Sequence, residues 1–507
     1  MDSRATPLES RGAGAACIAL IGALLACGDD ARPTNLLWIV SDTLRADSLH
    51  CYGGRAHAPN ICGLADSGVL FESAYSTASW TLPSAATLFT GNSPRVYAHA
   101  DASGNVTGDV YHVNDDEVLL AEELGERGYA VHAFVENPMA LRANAMQGFD
   151  FSHWPEVTEQ AETRAAIEEQ IGTHFNDIRY QNTINLLHLI LHREPEPFFA
   201  LLWTLDPHAV YRPPEHIRVP RVPKASELRH PPIYYARLGT PGNQDEDVLD
   251  LNEVGPELND TERQVVRMLY DLEVQSIDER VGMVLRALQL RDALEHTLIV
   301  FTADHGEAFD EHGAFMHRHH LYDELVRVPL VIQGPGVAPG RRVVEPVSHL
   351  DLEPTLRELM GVEPREGVDG RSFAFLLRGE RGDATPSRPE MHDHLPDGPW
   401  EAIVDAAHKL ILRPDGRREL YDLRRDPGEQ TDLAAGHPDI VDRLSAHLAT
   451  RRAALETRRS ANAARIPAER RRALREETAE QLRALGYAAP ESLPDGPRDI
   501  PSVGPMD

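Results

Sequence analysis

Five apolar runs set the terms on which this chain can fold. Asn35 to Val40 (NLLWIV) has no polar face and ends at Ser41-Asp42, the pattern of a strand buried on both sides of a parallel sheet. Tyr129 to Val135 (YAVHAFV), Phe198 to Thr204 (FFALLWT), Thr297 to Thr302 (TLIVFT) and Val328 to Ile332 (VPLVI) repeat it, beside helical patterns such as Glu117 to Arg127 and Val265 to Leu290. This alternation predicts an α/β fold, a large mixed, mostly parallel sheet sandwiched by helices. In such sheets functional side chains gather just past the carboxyl ends of strands. Asp42, Asp206 with His208, and Asp304 with His305 all take that place.

A chain of 507 residues is too long for one ordinary core, and its grammar changes after about Glu380. Glu401 to Leu412 and Arg418 to Leu423 read as short antiparallel strands, and Ile440 to Ala454 as an amphipathic helix. The expected division is 1–34 as a signal or lipoprotein segment with its linker, 35–380 as the catalytic domain, 381–487 as a smaller C-terminal α+β domain, and 488–507 as a disordered tail. Within the large domain, Pro213 to Glu257 is Pro-rich and polar and reads as a long loop on the substrate side.

Gly14 to Ala26 is apolar, follows Arg4 and Arg11, and is too short to span a bilayer, so it reads as the core of a signal peptide. Leu24-Leu25-Ala26-Cys27 resembles a bacterial lipoprotein processing box, in which Cys27 would carry lipid and make the only membrane contact. The alternative is a cleaved signal with an incidental cysteine. Either one sends the protein to the periplasm or cell envelope, where Cys51 and Cys62 could pair across a short loop. With 50 Lys+Arg against 80 Asp+Glu the formal charge is -30, which excludes nucleic acid as a first guess for a partner.

Thr81 opens TLPSAATLFTG, with Pro83 in what reads as a first helical turn. A threonine there is ordinarily a helix cap and nothing more. Its company changes that reading. Two carboxylates, Asp42 and Asp304, one imidazole, His305, and the Thr81 hydroxyl suit one divalent cation, Ca²⁺, Mg²⁺ or Mn²⁺, with Zn²⁺ also within range. A metal beside Thr81 would make its hydroxyl a usable nucleophile.

These residues lie in segments that resemble the sulfatase family of the alkaline phosphatase superfamily, from Asn35 to about Tyr487. The segments include SDTLRADSLHCYG (Ser41 to Gly53), TLPSAATLFTG (Thr81 to Gly91), LDPHAVYRPP (Leu205 to Pro214), FTADHGEAFDEHG (Phe301 to Gly313), LYDELVRVPLVIQGPG (Leu321 to Gly336) and ELYDLRRDPGEQTDLA (Glu419 to Ala434). The resemblance implies metal-dependent hydrolysis of sulfate or phosphate esters. It places Asp42, Asp304 and His305 as metal ligands, Thr81 as the nucleophile and His208 as a helper of the leaving group. His317 or Arg318 would contact the anionic oxygens, and Glu311 and His312 would fix a loop. The chain also departs from the family pattern. Sulfatases carry CxPSR or SxPSR, whose Cys or Ser becomes formylglycine, and TLPSA offers neither that precursor nor, at Ala85, the arginine. Thr43 replaces a second aspartate. Glu136 and Asn137 stand where arylsulfatases have a lysine and a histidine, which puts Asn137 against the substrate.

The expected substrate is therefore a small anionic ester, glycan or lipid headgroup, with phosphoester or phosphonate ester favoured by the threonine. Two alternatives remain. One is a degenerate member that only binds such anions; the other is a phospho-group transferase.

Overall fold

The computed structural model describes residues 33–100, 106–151, 160–174, 178–192, 197–217, 255–380 and 388–467, with Leu251 and short helical pieces up to Glu480. The signal segment with Cys27, most of the loop 213–257 and the tail 488–507 lie outside them. Among the described residues no helix is long and apolar enough to cross a membrane.

The main sheet runs in the order Arg341–Val343, Val69–Tyr75, Arg327–Gln333, Thr297–Ala303, Asn35–Ser41, Phe198–Thr204, Ala130–Val135, with Val347–Ser348 paired to the second of these. Strands 35–41, 130–135, 198–204 and 297–303 are mutually parallel, and their unbroken apolar runs match their burial on both faces. Strand 327–333 is antiparallel to both neighbours, which makes the sheet mixed at that side. Strand 69–75 runs back in the parallel sense, so the carboxyl end of its chain reaches the same edge and feeds directly into the helix Thr81–Thr90. Helices on both faces close the core, with Trp38 and Trp203 fully buried between them.

The long helix Asp260–Leu290 braces that edge. Its start is fixed by a capping box, Asn259 Oδ1 accepting from Glu262 N–H at 3.0 Å and Asn259 N–H donating to Glu262 Oε2 at 2.9 Å. From it the Tyr270 hydroxyl donates to the Thr43 carbonyl at 2.8 Å and accepts from Arg45 N–H at 2.9 Å. One turn of loop after Asp42 is thereby held. Further along, the fully buried Arg280 pairs with Glu136 at 2.6 Å and Asp206 at 3.2 Å, tying together the ends of strands 130–135 and 198–204. Replacing Arg280 by Met would leave two buried carboxylates without their cation. A loss of about 3–5 kcal/mol is expected in denaturant unfolding.

Four antiparallel strands, Glu390–Leu395, Gly398–Asp405, His408–Leu412 and Arg418–Asp422, form a second sheet. One face (Ile403, Leu410, Leu420) packs under Val441, Leu444 and Leu448 of the helix Pro438–Arg465. The other (Met391, Trp400, Ala402, Val404, Ile411) packs on Tyr75, Leu321, Tyr322 and Leu325 of the main body. Lys409 is buried there between Asp323 at 2.7 Å and Glu429 at 3.0 Å.

Cys51 and Cys62 form a disulfide, with Cα atoms 5.6 Å apart, that pins a loop to the helix Pro59–Ser67. Replacing both by Ala should cost about 3 kcal/mol, the loop-closure term for so short a loop, seen as a lowered unfolding midpoint.

Candidate active site

Four separated segments meet where the parallel strands end. Asp42 follows strand 35–41 and is anchored by its N–H to the Thr204 carbonyl at 3.1 Å. Asp304 and His305 follow strand 297–303, Asn137 follows strand 130–135, and Thr81 begins its helix. Asp42, Asp304 and His305 are wholly buried, and ligand atoms of all three lie within 4.8 Å of one another.

Each side chain is oriented by its neighbours. His305 Nδ1 lies 2.9 Å from the Gly306 carbonyl, which can only accept, so Nδ1 carries the proton and Nε2 presents a lone pair. That Nε2 sits 3.3 Å from Asp304 Oδ2 and 3.7 Å from Asp42 Oδ1. Asp304 spends Oδ1 on the N–H groups of Thr43 at 3.2 Å and His305 at 2.9 Å. Asp42 Oδ2 accepts from Asn137 Nδ2, while Asp42 Oδ1 has no hydrogen-bond donor. Asn137 cannot be turned the other way, because its Oδ1 accepts Met139 N–H at 2.8 Å. Gly306 is required by close approach: a Cβ there would fall 2.0 Å from the Glu324 carbonyl oxygen. Thr43 holds φ at +57°, which a β-branched residue adopts only at a cost of about 1–2 kcal/mol, and so turns its N–H toward Asp304.

Thr81 is not the cap of its helix. The cap position is Trp80, which makes no side-chain capping bond, and Thr81 is the first helical residue. Its Oγ lies 3.4 Å from His305 Nε2 and accepts from Asn137 Nδ2 at 3.2 Å. The hydroxyl is thus directed at the imidazole, whose Nε2 in turn faces Asp304 Oδ2.

Burial and the neighbouring charge of Asp304 push Asp42 up to about 6, and burial pushes Asp304 up to about 7. Burial also takes His305 down to about 4. Lone pairs from two acids and one imidazole thus converge at a fully buried point. That donor set fits a hard-to-borderline divalent cation, held by Asp42, Asp304 and His305 with Thr81 alongside.

The remaining expected residues surround this group. The His317 ring is 4.6 Å from that of His305 and 5.1 Å from that of His208. Glu307, which sequence reasoning passed over, meets His317 Nδ1 at 2.8 Å and accepts the Tyr211 hydroxyl at 3.0 Å. Burial lowers His317 and raises Glu307, which favours the uncharged form of each. Arg318 lays its guanidinium over the Trp80 ring, 4.3 Å from the centroid. Glu136, by contrast, serves Arg280. Glu311 pairs with Arg45 at 2.7 Å and His312 with Glu324 at 2.7 Å, contacts that hold the loop. Ala85 is buried one turn into the helix and brings no cation.

A family model described as Sulfatase matches residues 34–362, and one described as N-sulphoglucosamine sulphohydrolase, C-terminal, matches residues 310–454. The choline-sulfatase of Rhizobium meliloti (strain 1021) is 34% identical over 183 residues, a match spanning only 35% of each chain. The uncharacterized sulfatase YidJ of Escherichia coli (strain K12) is 26% identical over 79% of this chain and 83% of its own. Among solved structures, the phosphonate monoester hydrolase of Agrobacterium radiobacter superposes with a TM-score of 0.63 at 21% identity, over 84% of this chain and 96% of the other, a likeness of fold. With the Sulfatase model covering well over half of its length, the chain belongs to the sulfatase family of ester hydrolases.

Proposed function

We propose that this protein is a metal-dependent hydrolase of phosphate-type esters, phosphoester or phosphonate, with sulfate esters as the poorer substrates. The observation that carries the reading is the Thr81 hydroxyl, in reach of His305 and Asn137 at once, beside the buried Asp42–Asp304–His305 cluster. A divalent cation bound by Asp42, Asp304 and His305 would supply Lewis-acid stabilisation of charge at the reacting centre.

The chain's own groups provide the rest. Thr81 Oγ attacks phosphorus in line, the Oγ–P bond forms as the bond to the leaving oxygen breaks, and the Thr81 proton passes to solvent water. Asn137 Nδ2 steadies Oγ during attack. His208 protonates the leaving oxygen, and Arg318 neutralises the oxygens that do not react. Water then attacks the phosphothreonine, Oγ leaves and recovers a proton, and the acid is released. Phosphorus suits this cycle better than sulfur: threonine cannot become formylglycine, so a sulfate ester on Oγ would lack the aldehyde hydrate that expels product. The Cys51–Cys62 disulfide supports an exported, periplasmic or envelope protein, with Cys27 as the residue for a lipid anchor.

Ala85 favours a second reading, a protein that binds anionic glycans or headgroups without turnover, because the helix supplies no arginine where the family has one. A panel of aryl sulfate, phosphate monoester, phosphodiester and phosphonate monoester, each with Mg²⁺, Ca²⁺, Mn²⁺ or Zn²⁺, separates the two. Cation-dependent release from a phosphorus ester is expected. Tight cation binding with no release from any ester would replace the hydrolase reading with the binding one.

A further inference from the structure

The second sheet sends one carboxylate back into the catalytic body. Asp393, in strand Glu390–Leu395, is 3% exposed. Its Oδ2 accepts the backbone N–H of Ser79 at 2.9 Å and the Ser79 hydroxyl at 3.0 Å, and its Oδ1 accepts the indole N–H of Trp80 at 3.2 Å. The next residue is Thr81. Beside it, His392 N–H donates to the Thr77 carbonyl at 3.3 Å, so the strand grips the segment at two points. Arg318 belongs to the same assembly: its N–H donates to the Ser79 carbonyl at 3.1 Å, its guanidinium lies on Trp80, and its charge attracts Asp393.

The helix Thr81–Thr90 has no side-chain cap of its own, since Trp80 occupies that position in an extended conformation (φ −162°, ψ 165°). A helix start without a capping side chain can rotate or fray unless something else fixes it. Here the fixing group comes from some three hundred residues further along the chain.

We propose that Asp393 is a positioning residue of the active site, holding Ser79 and Trp80 so that Thr81 Oγ stays on His305 and Asn137 and Arg318 stays over Trp80. The C-terminal sheet is then part of the reaction machinery. This inference rests on the hydrolase reading given above.

The test compares full-length wild type, Asp393→Ala, Asp393→Asn, Trp80→Phe and the pair Asp393→Asn with Trp80→Phe. Three readouts are taken: kcat, KM, and the rise in Tm that the active cation produces. Displacing a nucleophile by about 1 Å costs on the order of 100-fold, so Asp393→Ala should lose about 30- to 100-fold in kcat with its cation-dependent Tm rise retained. Asp393→Asn keeps an acceptor for Ser79 but sets an amide N–H against the indole N–H. Adding Trp80→Phe removes that conflict and should return part of the lost kcat, a rescue that a role in stability alone would not give. A folded Asp393→Ala with wild-type kcat overturns the proposal. Should that variant not fold, wild-type kcat in Asp393→Asn overturns it equally. Wild type that binds cation but turns over no ester overturns the hydrolase reading, and the positioning role falls with it.

Discussion

Thr81→Ala should abolish turnover, with kcat down by about 10⁴-fold or more, while the cation-dependent rise in Tm survives. The size follows from the role: removing a covalent nucleophile typically costs four to six orders of magnitude, because what remains is only binding and electrostatic stabilisation. The survival of cation binding follows from the geometry. Asp42, Asp304 and His305 already bring their ligand atoms within 4.8 Å without the threonine, and Asn137 remains fixed to Asp42 and Met139. Thr81→Ser keeps a hydroxyl at the first helical position and should retain a sizeable fraction of the activity. Acid quench of wild type during turnover should trap the transferred group on Thr81, read by peptide mass spectrometry, and trap nothing in Thr81→Ala. Undiminished hydrolysis by Thr81→Ala would assign attack to water, and Thr81 would be left as a bystander beside the acids.

How far such a site can be read from the chain depends on where its determinants lie. The parallel strands were legible because burial on both faces leaves an unbroken apolar run, as in NLLWIV and FFALLWT. Direction is not encoded in such a run, so VPLVI gave no sign that strand 327–333 turns antiparallel. Strand 69–75 escaped because Glu72 and Ser73 interrupt its pattern where the sheet comes near its edge. Strand 390–395 (EMHDHL) looks soluble, and only in three dimensions do its polar groups find their partners: Glu390 on His447 and Arg451, His392 on Glu401, Asp393 on Ser79 and Trp80. The same contrast holds within the site. Asp42, Asp304 and His305 announced themselves as polar residues at strand ends, and Thr81 by its motif. Glu307 and Tyr211 orient His317 through contacts between distant segments, which leave no local signature. Glu136 shows the converse, a residue at a substrate-facing position in the resemblance that is bound instead to Arg280 from below.

Asp304→Asn should eliminate activity and, when no cation is present, stabilise the protein at alkaline pH. Asp304 in the folded protein titrates near 7 because of its burial, and Asp42 near 6 because of its own burial and Asp304, against usual values of 3.8. An acid whose folded pKa is raised binds its proton more tightly when folded. Its contribution to stability is therefore complete below about pH 4 and is lost as pH climbs through 6 and 7. Chelated wild type should accordingly lose Tm between pH 5 and pH 8. A saturating cation reverses the sense, because it favours the ionised carboxylates, and at 100 times its Kd it returns about 2.7 kcal/mol, a few degrees in Tm. The gap in Tm between cation-loaded and chelated wild type should thus be wider at pH 8 than at pH 5. In Asp304→Asn the amide keeps the shape and cannot ionise, so the chelated variant at pH 8 should melt above chelated wild type, show little cation-dependent rise, and lose about 10³-fold or more in kcat/KM. Equal gaps at the two pH values, or a chelated Asp304→Asn that melts below wild type at pH 8, would mean that the acids are satisfied by the protein itself and that no cation is needed to hold them together.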